Sequence, residues 1–202
     1  MAACTTRGFL ISADQCMSPP TAKDYANENY YGLWYEIGKI QTPGGAAFEQ
    51  DCVCTTIDVF AVKGATNGDS TAINSCRKLT PSGDFLNATG ALTNEESPGH
   101  WKESFFPLTP KADYRIIYLT DNLAIEYDCT SVLWITNYCV HLLSRTPTIS
   151  EADEQELLNF ANGLNLNSQN IRYKRTLQKG EREHSFVQKK MSARNVTYYF
   201  YL

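Results

Sequence analysis

Short runs of alternating apolar and polar residues, broken by turn-forming residues, fill most of this chain. In 52–62, Val53, Ile57, Val59 and Val62 stand among polar neighbours, the period-two pattern of a strand with one buried face. The runs 33–40, 52–62, 71–79, 85–93, 100–108, 114–119, 123–130 and 134–144 read as strands. Between them lie Pro43-Gly44-Gly45, the turn-rich 64–69, Pro81-Ser82-Gly83-Asp84, 94–99, Pro107 with Pro110, Asp121-Asn122 and Ser131. About eight strands with turn signals every ~8–12 residues predict an antiparallel barrel or sandwich. The period then changes. Ser150 is a candidate N-cap, Glu151, Asp153 and Glu154 suit a helix start, and Leu157, Ala161 and Leu164 share a face with Phe160 beside them. Gly163 is a candidate stop, so a helix is predicted over about 150–163, followed by a short strand in 171–177. Upstream, 23–31 has the length of one tight helical turn, and Pro19-Pro20 keep the preceding segment extended. No internal repeat occurs. The predicted organisation is an extended arm over 1–23, one all-β domain over 24–177 and a tail over 178–202.

Length and composition narrow this picture. A chain of 202 residues suits one domain with a sizeable core. The net charge of −4, from 18 basic and 22 acidic residues, argues against a phosphate-binding surface and hence against nucleic acid. The basic cluster 172–190 is interrupted by Glu181 and Glu183 and reads as a solvated tail. Aromatic residues make up 12%, with 12 Tyr, which favours β structure and a lined interior. No apolar run approaches the ~20 residues of a membrane-spanning helix. Residues 1–15 contain Phe9-Leu10-Ile11 without a long apolar core, and read as a mature N-terminus after signal-peptide removal, with the Met added. Seven Cys without paired C-x-x-C spacing, together with the sequons Asn87-Ala88-Thr89 and Asn195-Val196-Thr197, suggest a secreted or lumenal glycoprotein of an oxidising compartment rather than a zinc protein. There is no G-x-S-x-G, phosphate loop or H-E-x-x-H.

Three separated segments sharpen the reading: Gly32-Leu33-Trp34-Tyr35-Glu36-Ile37, Thr120-Asp121 after an apolar strand, and Leu142-Leu143-Ser144-Arg145 before the helix. Together they resemble the three signature regions of the lipocalins, across about 24–176. With Leu123-Ala124-Ile125-Glu126-Tyr127-Asp128-Cys129 and Leu143-Ser144-Arg145-Thr146-Pro147, the chain looks most similar to the apolipoprotein D and bilin-binding branch. The resemblance implies an eight-stranded up-and-down β-barrel of the calycin type with one C-terminal helix packed on it. It implies that Trp34 plugs the closed end beneath Arg145, with Gly32, Thr120 and Asp121 as signature positions. It also implies a Cys16–Cys129 bridge tying the arm across the barrel. The branch's second bridge has no counterpart, because no Cys follows Cys139. Pairing the second and third strands about a turn near residue 65 instead sets Cys54 opposite Cys76, leaving Cys4, Cys52 and Cys139 over. A ten-stranded fatty-acid-binding type barrel is the fold alternative; the long arm, the single late helix and Thr120-Asp121 favour the lipocalin arrangement.

Alternation assigns faces once the ends are set. If Arg145 points to the floor, Leu143, His141 and Cys139 share its face; if Trp34 points in, so do Glu36 and Gly38. Glu36 and His141 would then be polar groups in an apolar cavity, needing partners from the backbone, water or a ligand. Trp101, Phe105, Tyr114, Ile116, Tyr118, Tyr127 and Trp134 are the further candidate lining residues, although one bulge would swap their faces. An eight-stranded barrel is wide enough to hold one small ligand. The expected function is therefore extracellular transport of a small hydrophobic molecule, non-covalently bound. A bilin such as biliverdin is slightly favoured over a carotenoid, retinoid, fatty acid or sterol. One alternative is an isomerase of the prostaglandin D synthase type, using Cys54 or Cys139 beside His141. Another is an interaction protein acting through 41–50 and 94–99, or a homo-oligomer joined by the aromatic end Tyr198-Tyr199-Phe200-Tyr201, which fits either a partner contact or an added end.

Overall fold

The computed structural model describes residues 15–95 and 97–178. Cys4, the Asn195 sequon and the tail beyond Gln178 lie outside them. In chain order the elements are α1 (Asn27–Tyr30), β1 (Gly32–Gln41), a 3-10 turn (Ala47–Glu49), β2 (Cys52–Ala61), β3 (Ser70–Lys78), β4 (Phe85–Asn94), β5 (His100–Ser104), β6 (Ala112–Leu119), β7 (Leu123–Val132), β8 (Ile135–Ser144), α2 (Glu151–Gly163) and β9 (Lys174–Arg175). The expected 100–108 strand stops at Ser104, short of Pro107, whose missing N–H cannot join a ladder. The helix begins where its cap predicts: Ser150 Oγ accepts the Asp153 N–H at 3.1 Å.

All strands pair antiparallel in the order β2-β3-β4-β5-β6-β7-β8-β1, and β1 pairs again with β2, closing an eight-stranded barrel. The closing seam is uneven. β1 pairs with β2 from Gly32↔Val59 to Tyr35↔Thr56, and from Gly38 onward it pairs with β9. The residues after β9 bridge the two diverging strands. Thr176 N–H donates to Ile37 O at 2.9 Å and Cys54 N–H to Leu177 O at 2.6 Å. Gln178 Nε2 donates to Glu36 O at 2.8 Å and to Thr55 O at 3.0 Å.

Two apolar clusters lie on opposite sides of the wall. Inside, Tyr30, Trp34, Ile57, Val59, Ala72, Leu92, Trp101, Tyr114, Ile116, Ala124 and Leu143 fill the closed end. Outside, Ile40, Ile117, Ile125, Tyr127, Cys129, Tyr138, Val140 and Leu142 pack beneath Leu157 and Ala161 of α2. The apolar face of β7 and β8 thus points outward, because the amphipathic helix covers it. No helix among the described residues is long and apolar enough to cross a membrane.

The Cys16–Cys129 bridge is present, with Cα atoms 5.7 Å apart, and fastens the extended arm to the outer wall. The second bridge corrects the expectation: Cys76 joins Cys52, not Cys54. The register is as anticipated at Cys52↔Lys78 and Val53↔Arg77, then slips between Val53 and Thr56. Cys54 occupies this bulge at φ +53°, in the left-handed region, so it does not meet Cys76 across the ladder.

Candidate functional site: the barrel interior

The closed end is built around Trp34. Its indole N–H donates to Tyr30 O at 2.7 Å, and the Tyr30 ring stacks on it at 5.6 Å between centroids. The Arg145 guanidinium lies 3.6 Å from the indole centroid, a cation–π contact. Its nitrogens donate to Leu33 O, Asn29 O and Tyr31 O at 2.9–3.0 Å, pinning α1 to the start of β1. Gly32, at φ +96°, makes the turn between them. Thr120 organises the β6–β7 turn: its Oγ1 accepts the Leu123 N–H at 3.0 Å, and Asp121 is exposed in that turn.

Above this floor the interior becomes polar. Tyr114 OH donates to Glu126 Oε2 at 2.8 Å, and Tyr30 OH reaches both Tyr114 OH and Glu126. Glu36, completely buried, receives His141 Nδ1 at 2.6 Å, Lys39 Nζ at 3.3 Å and the Thr176 hydroxyl. The other imidazole nitrogen, Nε2, lies 3.3 Å from Asp128 Oδ2 and 4.0 Å from Glu126 Oε1. Lys39 also pairs with Glu49 Oε2 at 3.2 Å. Glu49 descends from the 42–51 loop, which folds over the mouth. Thr42 N–H donates to Tyr138 O at 3.0 Å, Lys78 Nζ holds Phe48 O at 2.8 Å, and Phe48 meets Phe105 at 5.6 Å between centroids. Gly45 in this loop approaches Tyr138 O so closely that a Cβ would collide with it.

Burial and neighbouring charge compete at each group. Burial pushes the Glu36 carboxyl up, but Lys39 and His141 outweigh it and hold Glu36 at about 2. Burial opposes the imidazolium of His141, but Cys139, Glu126 and Asp128 around it hold its pKa well above the ordinary value. Burial, with Asp128 and Glu49 nearby, raises Glu126 to about 7 despite His141 and Tyr114. Glu103 is raised well above the carboxylate range by burial and then by Glu126 and Asp128. Its Oε1 is buried with no hydrogen-bond partner. Burial also pushes the Cys139 thiol up to about 12.

Of the anticipated lining residues, Glu36, Trp101, Tyr114, Ile116 and His141 face the interior, and Phe105 stands at the mouth beside Phe48. Three are corrected. Tyr118 faces out to α2, with its OH donating to Glu156 at 2.8 Å and its ring on Phe160, because the ladder slips between Ile116 and Tyr118. Tyr127 lies under the arm, its OH accepting the Met17 N–H at 3.1 Å. Trp134 is 73% exposed in the β7–β8 turn. Gly38 is a further correction. A bulge between Glu36 and Gly38 turns it outward against Tyr173, and brings Lys39 inward instead. Sequence reasoning missed Lys39, Glu49, Glu103, Asp128, Thr176 and Gln178, and missed Glu126 as an inward group. Alternation carried a signal only for Glu126 and Asp128, which interleave with the apolar Ile125, Tyr127 and Cys129.

Comparison with known proteins agrees with this architecture. The family model for the lipocalin-like domain matches residues 27–175. Apolipoprotein D of Mus musculus is 30% identical over 148 residues, covering 71% of this chain and 72% of that protein. Apolipoprotein D of Bos taurus is 29% identical over 145 residues, covering 69% and 71%. Among solved structures, insecticyanin from the tobacco hornworm Manduca sexta superposes with a TM-score of 0.62 at 14% identity, covering 82% of this chain and 87% of that one. Apocrustacyanin C1 gives 0.60 at 15% identity, covering 81% and 85%. At such identities the structural likeness speaks for the fold; the domain match speaks for descent, and this chain belongs to the lipocalin family.

Proposed function

We propose that this lipocalin carries a small hydrophobic ligand bearing hydrogen-bond donors, held inside the barrel between the aromatic floor and the 42–51 loop. The observation that carries the reading is the Glu103 carboxyl, buried with an unpaired oxygen on the interior face of β5, near Glu126 and Asp128. A buried acceptor without a donor costs roughly 1–3 kcal/mol, which a donor on the guest would recover. Trp101, two residues before it on β5, and Tyr114, edge-on to Trp101 at 6.0 Å between centroids, belong to the aromatic floor. Among the expected ligands this favours biliverdin, whose pyrrole N–H groups can donate to carboxylates. Carriage also accounts for Cys139 better than catalysis does, since a thiol raised to about 12 is a poor nucleophile at neutral pH. Both bridges fit an oxidising compartment, and we read the protein as secreted.

The test is to mix folded protein with biliverdin and pass it through gel filtration. Protein and a visible absorption band should elute together, and Glu103→Leu, which removes the acceptor, should weaken retention. If the pigment separates from wild-type protein, the bilin assignment fails, and native mass spectrometry would then be used to look for a retained sterol, retinoid or fatty acid.

A further inference from the structure

The inner wall made by β7 and β8 carries a group of side chains that ligand carriage does not require. Glu126 and Asp128 are inward-facing neighbours on β7, and Cys139 and His141 are inward-facing neighbours on β8. The ladder sets Asp128 directly across from Cys139 and Glu126 directly across from His141. These four donors therefore form a two-by-two grid on one patch of wall, all of them buried. One donor atom from each of Asp128, Cys139 and His141 lies within 4.8 Å of the others. Cys139 takes part in neither bridge.

We propose that this grid binds a divalent transition-metal ion of the zinc type through Asp128, Cys139 and His141, with the fourth position open. Tetrahedral coordination with bonds of about 2.0–2.3 Å sets donor atoms roughly 3–4 Å apart. His141 Nε2 stands 3.3 Å from Asp128 Oδ2 and 4.0 Å from Glu126 Oε1. The imidazole is also oriented as a ligand would be. Its Nδ1 is held by Glu36 at 2.6 Å, which directs Nε2 at the grid. A carboxylate behind a histidine is the usual support of a metal-binding imidazole. Thiolate, imidazole and carboxylate together suit zinc or cobalt rather than calcium or magnesium. On binding, the ion replaces the proton on His141 Nε2 and the proton of the Cys139 thiol, and both go to solvent.

The surroundings supply further carboxyl groups. Within the described interior, Glu36, Glu49, Glu103, Glu126 and Asp128 are buried together with Lys39 and His141. Glu103 aims its unpartnered, buried oxygen into the same space, under the influence of Glu126, Asp128 and His141. A second grouping, Glu36 with Glu49 and His141, also brings donor atoms together. There the Lys39 ammonium already sits 3.3 Å from Glu36 and 3.2 Å from Glu49, so that cation position is filled by the chain itself.

Co2+ is the probe, because its bond to thiolate gives a near-ultraviolet charge-transfer band, with visible bands for tetrahedral geometry. It is added to disulfide-intact protein both after folding and during refolding, so that a closed mouth cannot hide the site. The expected result is a cobalt–thiolate band at one ion per chain that Zn2+ abolishes. Cys139→Ser should lose the band. Glu36→Gln should keep it while binding about 10–100-fold more weakly, as a supporting carboxylate predicts. Absence of a thiolate band from wild-type protein by both routes overturns the proposal, and so does a band that persists in Cys139→Ser. Unchanged affinity in Glu36→Gln removes that residue's positioning role. The probe is metal alone, so failure here leaves the biliverdin result untouched, and the converse holds.

Discussion

Trp34 concentrates several contributions in one side chain: a buried indole, an N–H bonded to Tyr30 O, a stacked phenol and an overlying guanidinium. Trp34→Ala should cost about 3–5 kcal/mol in urea denaturation, as for other buried aromatics; an unchanged midpoint would mean that the indole does not hold the floor. On the outer surface Asp113 plays a comparable role through charge. Its carboxylate receives Arg115 Nε at 2.6 Å, His100 Nε2 at 2.6 Å and Lys102 Nζ at 2.7 Å. Burial raises its pKa, but these three outweigh burial and lower it from the usual 3.8 to about 2. A folded pKa below the unfolded one means stability that is present above pH 3.8 and lost as pH falls towards 2. Asp113→Asn should therefore flatten the acid limb of a stability–pH curve between those values. An acid limb identical to wild type would show that these three contacts to Asp113 add nothing to folding.

Strands and helix were legible because their signals are local: alternation, Pro and Gly breaks, and a Ser cap three residues ahead of Asp153. Face assignments were not, and the reason is the same in three places. Slips between Glu36 and Gly38, between Val53 and Thr56, and between Ile116 and Tyr118 each change the phase of a strand without changing its composition. They account for Lys39 facing in, Cys52 taking the place of Cys54, and Tyr118 facing out. The acidic face of β7 was misjudged for a different reason. Alternation shows that Glu126 and Asp128 share a face, but only α2, lying on Tyr127 and its neighbours, decides that this face is the inner one. Proteolysis of non-reduced protein followed by mass spectrometry should find Cys52 joined to Cys76; a Cys54–Cys76 peptide would restore the unslipped register. Gly38→Ala should force the Tyr173 ring away from β1 and cost about 1–3 kcal/mol. An Ala variant as stable as wild type would mean that β9 yields easily.

At the scale of the whole molecule, closure depends on five residues near the end of the domain. Gln178 joins the carbonyls of Glu36 and Thr55 across the seam, and Thr176 reaches the Glu36 carboxylate inside. Gln178→Ala would leave those carbonyls without their side-chain donor in a buried place, at a cost of about 1–3 kcal/mol. Backbone amides of Thr55 and Thr56 should then exchange faster with deuterium, and unchanged exchange would show that the side chain is not what seals the wall. The seam also sets an order of events during synthesis. β1 and β2 leave the ribosome early, β1 carrying Glu36 and Lys39, yet the segment that closes their upper halves comes more than a hundred residues later. Until 174–178 has emerged, the inner charges remain open to water on one side, so the nascent barrel can desolvate them only after the rest of its wall has been made.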